Sequence, residues 1–212
     1  MKSKKFKHSE EELNSINPSI TAISRSGSKS AAYKTALSLW KDLDCKNVLD
    51  YGCGFGEEAD ENSFYKMDKY MYADNKIRLR NLVLKTKRRR EMFDHVICSC
   101  VLNTIPTKEE RFFVIDKILH FMRQEGTAIF TYYKDAVASE KEGWKKYSDG
   151  FIYNSKRGTH FQKRYTDQKF YDLFLEFRNS EKFDKMFDIE RIKSGIFLIR
   201  KKRVNWYPTD KF

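Results

Sequence analysis

The segment VLDYGCGFG, residues 48–56, constrains the fold of this chain more than any other segment does. A short apolar run ends at Asp50, and glycines follow at every second position as Gly52, Gly54 and Gly56. Glycine allows a sharp turn and a close approach of the backbone to a ligand, because it has no Cβ. The pattern therefore predicts a buried parallel strand over 47–51 that opens into a nucleotide-sized crevice. A glycine-rich turn that binds nothing is the alternative.

The remaining chain alternates between strand-like and helix-like patterns. Only residues 57–63 separate the glycines from the second strand, so the first crossover helix must be very short or replaced by a turn. A capping box at Thr107 and Glu110 predicts a helix that ends at Gly126. The predicted strands cover 47–51, 64–67, 93–100, 127–133, 187–192 and 196–200; the predicted helices cover 31–43, 107–126, 138–147 and 167–177; and a polar, aromatic loop covers 149–165.

This order of elements predicts an α/β fold, with a mostly parallel sheet, helices on both faces and a C-terminal antiparallel hairpin. We expect a basic N-terminal extension over 1–20, a single domain over 21–204 and a tail over 205–212. No apolar run approaches the roughly 18 residues that would span a bilayer. The polar N-terminus does not resemble a secretory signal. We therefore expect a cytoplasmic protein without membrane contact, and the sequence leaves its oligomeric state open.

The cysteines do not have the spacing of a zinc site. Cys98 and Cys100 form a close pair, but the other two, Cys45 and Cys53, are distant from them, and the histidines are scattered. Reduced, buried thiols and no metal are the expectation.

The formal net charge is +12, from 42 basic and 30 acidic residues. This excess permits a polyanionic partner such as DNA or another nucleic acid, which would bind a basic surface. A lysine-rich composition with no such partner is the alternative. The most basic stretch, residues 75–91, is by default a solvated loop, and contact with phosphate is the second interpretation.

The string Asp-x-Gly-x-Gly-x-Gly resembles motif I of the class I S-adenosylmethionine-dependent methyltransferases, whose loop wraps the methionine part of the cofactor. The resemblance implies a Rossmann-like methyltransferase fold and S-adenosyl-L-methionine as cofactor. It implies that Gly52, Cys53, Gly54 and Gly56 shape the methionine pocket and that Asp50 orients the loop or reaches the cofactor's amino group through water.

Further cofactor contacts are expected where neighbouring strands end. Asp68 follows the second strand, 18 residues beyond Asp50, where an acidic residue accepts hydrogen bonds from ribose hydroxyls. Ser99, Cys100 and Asn103 follow the third strand, at the edge where open α/β sheets bind ligands.

Three more segments narrow the resemblance: TAISR at 21–25, VLNTI at 101–105 and KRGTHFQK at 156–163. Together they are similar to the methyltransferases associated with DNA phosphorothioation systems and to their short phage relatives. Three departures are Asp68-Lys69-Tyr70, where that family has Asp-Pro-Tyr, Glu57, where the longer relatives begin a helix, and an inserted His160. The candidate residues that flank the methyl acceptor are Thr21, Arg25, Thr159, Gln162 and Lys163.

The leading hypothesis is a methyltransferase that acts on DNA or on a nucleotide-derived acceptor. Small-molecule methylation and a non-catalytic, nucleic-acid-binding accessory role are the alternatives. The signatures of the two familiar routes of DNA base methylation are both missing, because Cys98-Ser99-Cys100-Val101 is not an Asn/Asp-Pro-Pro-Tyr/Phe motif and no Pro-Cys pair occurs. No catalytic residue is predicted. Tyr70, Tyr132, Tyr133 and Phe161 are candidates to stack on a base.

Overall fold

The computed structural model of the protein describes residues 27–41, 47–53, 57–67, 93–132, 144–155, 158–180 and 187–203. The predicted extension (1–20), the tail (205–212) and the basic stretch (75–91) lie outside these residues. Among the helices in the described ranges, none combines the length and the apolar character that crossing a membrane requires.

A six-stranded sheet forms the centre of the fold, in the order β2-β1-β3-β4-β9-β8. The first four of these strands are parallel, β9 runs antiparallel to β4, and β8 runs antiparallel to β9. The predicted mostly parallel sheet with a C-terminal hairpin is therefore confirmed. The elements are α1 (Gly27–Trp40), β1 (Val48–Tyr51), α2 (Glu57–Glu61), β2 (Tyr65–Met67), β3 (Phe93–Ser99), a 3-10 turn (Leu102–Thr104), α3 (Lys108–Phe121), β4 (Met122–Thr131), β5 (Lys145–Tyr147), β6 (Gly150–Ser155), β7 (Gly158–Gln162), α4 (Asp167–Asn179), β8 (Phe187–Lys193) and β9 (Ile196–Lys201).

Helices cover both faces of this sheet, as the apolar runs of its central strands predict. On one face, α1 packs its residues Ala32, Ala36 and Trp40 against Val48, Ile97 and Ile129 of the sheet. On the other face, α3 and α4 pack against a larger cluster rich in phenylalanine. The β3 residues Val96, Ile97 and Cys98 alternate between these two clusters, because side chains of a strand point to opposite faces.

A polar contact fixes α1 on the sheet. The Trp40 indole N–H donates a hydrogen bond to Thr127 Oγ1 at 3.0 Å, and its ring stacks on His95 with centroids 4.4 Å apart. Burial lowers the pKa of His95 to about 4, although nearby Asp94 opposes the shift. The imidazole is therefore neutral at pH 7 and packs as a core ring.

The prediction that α3 ends at Gly126 is wrong. The helix ends at Phe121, and β4 begins at Met122. The pairing of β3 with β4 shifts between Phe93↔Met122 and His95↔Thr127, so residues 123–126 bulge out opposite Asp94. A Cβ on Gly126 would lie 2.8 Å from the carbonyl oxygen of Asp94. Glycine is needed here for a close backbone approach inside a strand, which the sequence pattern does not distinguish from a helix end.

A second, three-stranded sheet contradicts two further predictions. Residues 145–147 form β5 rather than the end of a helix, and most of 149–165 forms β6 and β7 rather than a loop. The three strands pair antiparallel in the order β5-β6-β7. We call them the small sheet. The sequence predicts a loop here because histidine, lysine and glutamine interrupt the apolar positions. Only pairing between strands selects the extended conformation.

We predict that Phe174→Ala lowers the free energy of unfolding by about 3–5 kcal/mol, because it leaves a cavity where the Phe174 ring packs edge-on against Phe130. Urea denaturation measures this change. Phe113→Ala is the matched control, because Phe113 is 57% exposed on α3, and we expect a change within about 0.5 kcal/mol. Equal losses in the two variants would contradict the packing of α4 on the sheet.

Candidate functional site

The carboxyl ends of β1, β2 and β3 meet at one edge of the main sheet, where parallel α/β sheets bind ligands. The turn after β1 is fastened to the end of β2. The amide N–H groups of Gly52 and Cys53 both donate to the carbonyl of Met67, at 2.6 and 3.3 Å. Met67 directly precedes Asp68, which lies outside the described residues, as do Gly54 and Gly56.

The turn requires glycine at position 52. Gly52 has φ +77°, and a Cβ built on it would lie 2.3 Å from Val101 Cγ2. A side chain would therefore be strained by its backbone conformation and would also collide with the segment that follows β3. Cys53, the next residue, is fully buried. The sequence argument for a sharp, crowded turn after β1 thus holds for the first of the three glycines.

Asp50 lies beneath this turn rather than in the solvent. It is buried, and the Tyr33 hydroxyl on α1 donates a hydrogen bond to its Oδ2 at 2.6 Å. Burial raises the pKa of the Cys98 thiol on the neighbouring strand, and the charge of Asp50 adds to that increase. The role of Asp50 in orienting the loop stays a prediction.

The end of β3 brings Ser99, Cys100 and Asn103 to the same edge. Ser99 Oγ and Thr131 Oγ1 share a hydrogen bond of 3.0 Å. Cys100 has φ +58° and donates its amide N–H to the carbonyl of Thr131 at 3.1 Å. The chain thereby leaves β3 sharply and enters the 3-10 turn that carries Asn103.

Asn103 has an unsatisfied side-chain oxygen. The residue is buried, and its Oδ1 has no hydrogen-bond partner within the described part of the chain. Buried polar atoms in folded proteins are nearly always paired. A ligand N–H at the crevice would supply the missing partner, so the residues present fit a cofactor with exposed amino or amide groups.

Lys163 lies beside Asn103, whereas Thr159 does not. The Lys163 amide N–H donates to the Asn103 carbonyl at 2.7 Å, which ties the end of β7 to the 3-10 turn. Gln162 precedes this contact and is half-buried. Thr159 lies four residues away along the strand, roughly 13 Å, and its hydroxyl donates to Asn154 Oδ1 at 2.9 Å. Thr21 and Arg25 fall outside the described residues.

Arg111 is a buried charge that sequence reasoning missed. Its side chain is fully buried, and its guanidinium makes a bidentate pair with Asp149 at 2.6 and 2.7 Å. It also donates to the carbonyls of Ile105 and Pro106, at 2.9 and 3.0 Å. The available signal was its spacing, since Arg111 precedes Ile115 by one helical turn and so lies on the buried face of α3.

Asp149 pairs with a second cation, because the Lys163 ammonium also donates a hydrogen bond to its carboxylate. Burial alone would raise the pKa of Asp149, but hydrogen bonds and charges from Arg111 and Lys163 lower it below its usual range. Burial lowers the pKa of Lys163, and the Asp149 carboxylate opposes that shift. The three side chains form one ion network that joins α3 to the small sheet.

The described residues do not form a metal site, and the two described rings that were predicted to stack on a base are not available for stacking. In the ranges that the structure describes, no three His, Cys, Asp or Glu side chains are grouped as metal ligands would be. Tyr132 and Phe161 are buried in the core, so neither offers its ring face to a base. Tyr70 and Tyr133 lie outside the described residues.

No protein-family model matches this chain, and no curated protein sequence matches it. Solved structures do. An amino pentose methyltransferase from Micromonospora echinaspora, CalS10, superposes with a TM-score of 0.52 at 11% identity, over 95% of this chain and 100% of its own. A sugar N-methyltransferase from a Streptoalloteichus species, KedS8, gives 0.51 at 8% identity, over 96% of each chain.

An S-adenosylmethionine-dependent methyltransferase from Clostridium acetobutylicum gives a TM-score of 0.52 at 11% identity, over 87% of this chain and 95% of that one. The protein therefore has the Rossmann-like fold of the class I S-adenosylmethionine-dependent methyltransferases, as its glycine motif predicts. Likeness at such low identity establishes the fold, and the fold alone leaves the reaction to be argued from the site.

We predict that Arg111→Met lowers the free energy of unfolding by about 2–3 kcal/mol, because two carbonyls and Asp149 lose a buried donor. The cost stays below that of a wholly buried pair, since the Asp149 side chain is 40% exposed. Arg123→Met is the control, because the Arg123–Asp94 pair is solvent-exposed and is worth at most about 1 kcal/mol. Urea denaturation of both variants decides whether the buried network holds the small sheet in place.

Proposed function

We propose that this protein is an S-adenosyl-L-methionine-dependent methyltransferase. The observation that carries the proposal is the turn at Gly52. A buried acid ends the first strand, a left-handed glycine follows, and the turn is fastened to the end of the neighbouring strand. This arrangement stands at the carboxyl edge of a sheet whose fold is that of the methyltransferases.

The cofactor supplies a methyl group on a sulfonium centre, and the protein contributes binding and orientation. Asp50 and Tyr33 hold the floor of the crevice, and Gly52 lets the chain turn above them. The Asn103 amide oxygen accepts a hydrogen bond from the bound molecule. The predicted cofactor contacts of Cys53, Gly54, Gly56, Asp68, Ser99 and Cys100 complete the proposal.

We predict that Gly52→Ala weakens binding of S-adenosylmethionine and of S-adenosylhomocysteine by at least about tenfold. The added Cβ is strained at φ +77° and displaces Val101. Calorimetry measures the affinity. The control is Gly195→Ala in the β8–β9 turn, which has φ +80° and therefore imposes similar backbone strain away from the glycine turn. We expect Gly195→Ala to lose stability but not affinity.

Two results would contradict the cofactor assignment. One is a wild-type protein that binds neither compound. The other is a Gly52→Ala variant, shown to be folded by circular dichroism, that binds both compounds as the wild type does.

We propose nucleic acid, or an acceptor derived from a nucleotide, as the methyl acceptor. The net charge of +12 supports this. Much of the excess is local, since residues 68–92, between β2 and β3 in the chain, contain nine basic and three acidic residues. The DNA phosphorothioation or phage context and the cytoplasmic location stay predictions from sequence.

A small-molecule acceptor is the second candidate. The small sheet supports it, because its contact with Asn103 places an added element over the edge where the crevice opens. Proteins of the same fold named as amino pentose and sugar N-methyltransferases add to that support. A non-catalytic, cofactor-binding accessory role would be favoured if the protein binds cofactor but methylates nothing in a broad acceptor screen.

Salt dependence separates the first two candidates. A protein that neutralises several phosphates should lose affinity for DNA steeply as salt rises, with a log–log slope of about −0.7 to −0.9 per phosphate contacted. We predict a slope steeper than about −3 for a fluorescent oligonucleotide measured by anisotropy at several salt concentrations. Absent binding, or affinity that does not change with salt, would eliminate the nucleic-acid acceptor.

A further inference from the structure

The two faces of the small sheet have different surroundings. One face carries Tyr147, Ile152 and Phe161, which form a buried cluster. The Arg111 guanidinium lies 5.8 Å from the centre of the Phe161 ring on this side. We call this the packed face, because it is held against α3 by the ion network.

The opposite face carries rings and polar groups. Directly paired residues share a face, so Tyr153 lies beside His160, and Phe151 lies beside Gln162 and Lys146. We call this the aromatic face. Phe151, Tyr153 and Gln162 are half-buried, and Lys146 is exposed. A face that were simply part of the core would bury these side chains as the packed face does.

Three parallel rings form a stack on the aromatic face. The rings of Trp144 and Tyr153 have centroids 4.0 Å apart and an interplanar angle of 19°. Those of Tyr153 and His160 have centroids 4.5 Å apart and an angle of 7°. His160 is buried, whereas Trp144 is half-exposed and adjoins β5, an edge strand of the small sheet. The tryptophan end of the stack is therefore where a further flat ring would add.

Positive charge accompanies the stack. The Arg164 guanidinium lies over the Phe151 ring at 5.6 Å from its centre. Its Nη2 is shielded from solvent and has no hydrogen-bond partner among the residues described. Lys146 adds a second cation to this face, and Asp149, the one acid in segments 144–155 and 158–165, pairs with Arg111 and Lys163. The face thus matches a partner with flat rings, hydrogen-bond acceptors and negative charge.

We propose that the aromatic face binds single-stranded nucleic acid, with an unpaired base stacked on Trp144 and the backbone phosphates near Lys146 and Arg164. An unpaired strand is specified because base faces are accessible only when bases are unstacked. Since β7 continues into the Lys163–Asn103 contact, a strand on this face lies next to the crevice. This surface would hold the methyl acceptor of the proposed function. Only the transfer of a methyl group to the bound strand rests on that function, because binding of the strand is measured separately.

The test uses the full chain and a fluorescein-labelled deoxythymidine oligonucleotide of about 12 nucleotides, within the usual range of site sizes. Trp144→Ala should weaken binding by about 5- to 150-fold, which is the usual effect of removing one base–aromatic stack. Trp144→Phe should restore part of the affinity, because it restores a ring. Phe113→Ala is the matched control, since it removes an exposed ring on α3 that is not part of the small sheet.

Two further measurements report on the chemistry of the contact. Fluorescence of 2-aminopurine in the oligonucleotide should be quenched by the wild type and by Phe113→Ala, but not by Trp144→Ala. Arg164→Met keeps the aliphatic stem and removes the charge, so it should make the salt slope shallower by about one. Circular dichroism and urea denaturation establish that each variant is folded.

Several outcomes would overturn the proposal. Wild-type protein that does not bind the oligonucleotide would do so, as would a folded Trp144→Ala variant that binds it as tightly as Phe113→Ala does. Equal affinity for duplex DNA, unaffected by Trp144→Ala, would move the binding site elsewhere. If Trp144→Ala weakened binding of neutral oligosaccharides but not of the oligonucleotide, the face would be a carbohydrate site. Calorimetry with S-adenosylmethionine on Trp144→Ala keeps the two proposals apart, because cofactor affinity should not change.

Discussion

The buried guanidinium of Arg111 is the contact on which the arrangement of the two sheets depends. Four of its five N–H groups donate hydrogen bonds, two to the carbonyls of Ile105 and Pro106 just before its own helix and two to Asp149 in the turn between β5 and β6. A charge removed from water is stable when an opposite charge and hydrogen-bond acceptors pair with its donors in this way. The small sheet is therefore fixed at one place, beside the carboxyl edge of the main sheet, rather than attached through apolar contact alone.

The small sheet is attached at the edge of the main sheet that carries the proposed cofactor site. The glycine turn after β1 and the 3-10 turn after β3 approach so closely that a methyl group at Gly52 would overlap Val101. The same 3-10 turn carries Asn103, whose buried side-chain oxygen has no partner among the described residues and whose backbone carbonyl accepts a hydrogen bond from Lys163. One short segment thus serves both the proposed cofactor site and the attachment of the small sheet, so cofactor and acceptor would be held by a common element.

Different parts of the structure determine the fold and the choice of methyl acceptor. A parallel sheet with a glycine turn at its edge fits a nucleoside cofactor and says little about what receives the methyl group. In the proposed function, acceptor choice depends on the elements added at that edge, which include the small sheet. Its aromatic face combines a ring stack ending at Trp144 with an arginine whose inner N–H group is buried without a partner among the described residues. The proposed recognition of rings and anions rests on these features, which are independent of the glycine turn.

The sequence by itself determined the elements whose signals are local. The strand before Gly52, the short connection after the glycines, helix α4 and the terminal hairpin follow from periodicity, turn residues and connection length, and the structure has them all. The tertiary structure alone decided the bulge at Gly126, the three strands of the small sheet and the burial of Arg111. Each of these depends on a partner distant in the chain: Asp94 opposite the bulge, cross-strand neighbours for β5 to β7, and Asp149 for the guanidinium. Local sequence specifies conformation where a residue's own backbone and near neighbours dominate its energy, and it fails where pairing across the fold supplies most of that energy.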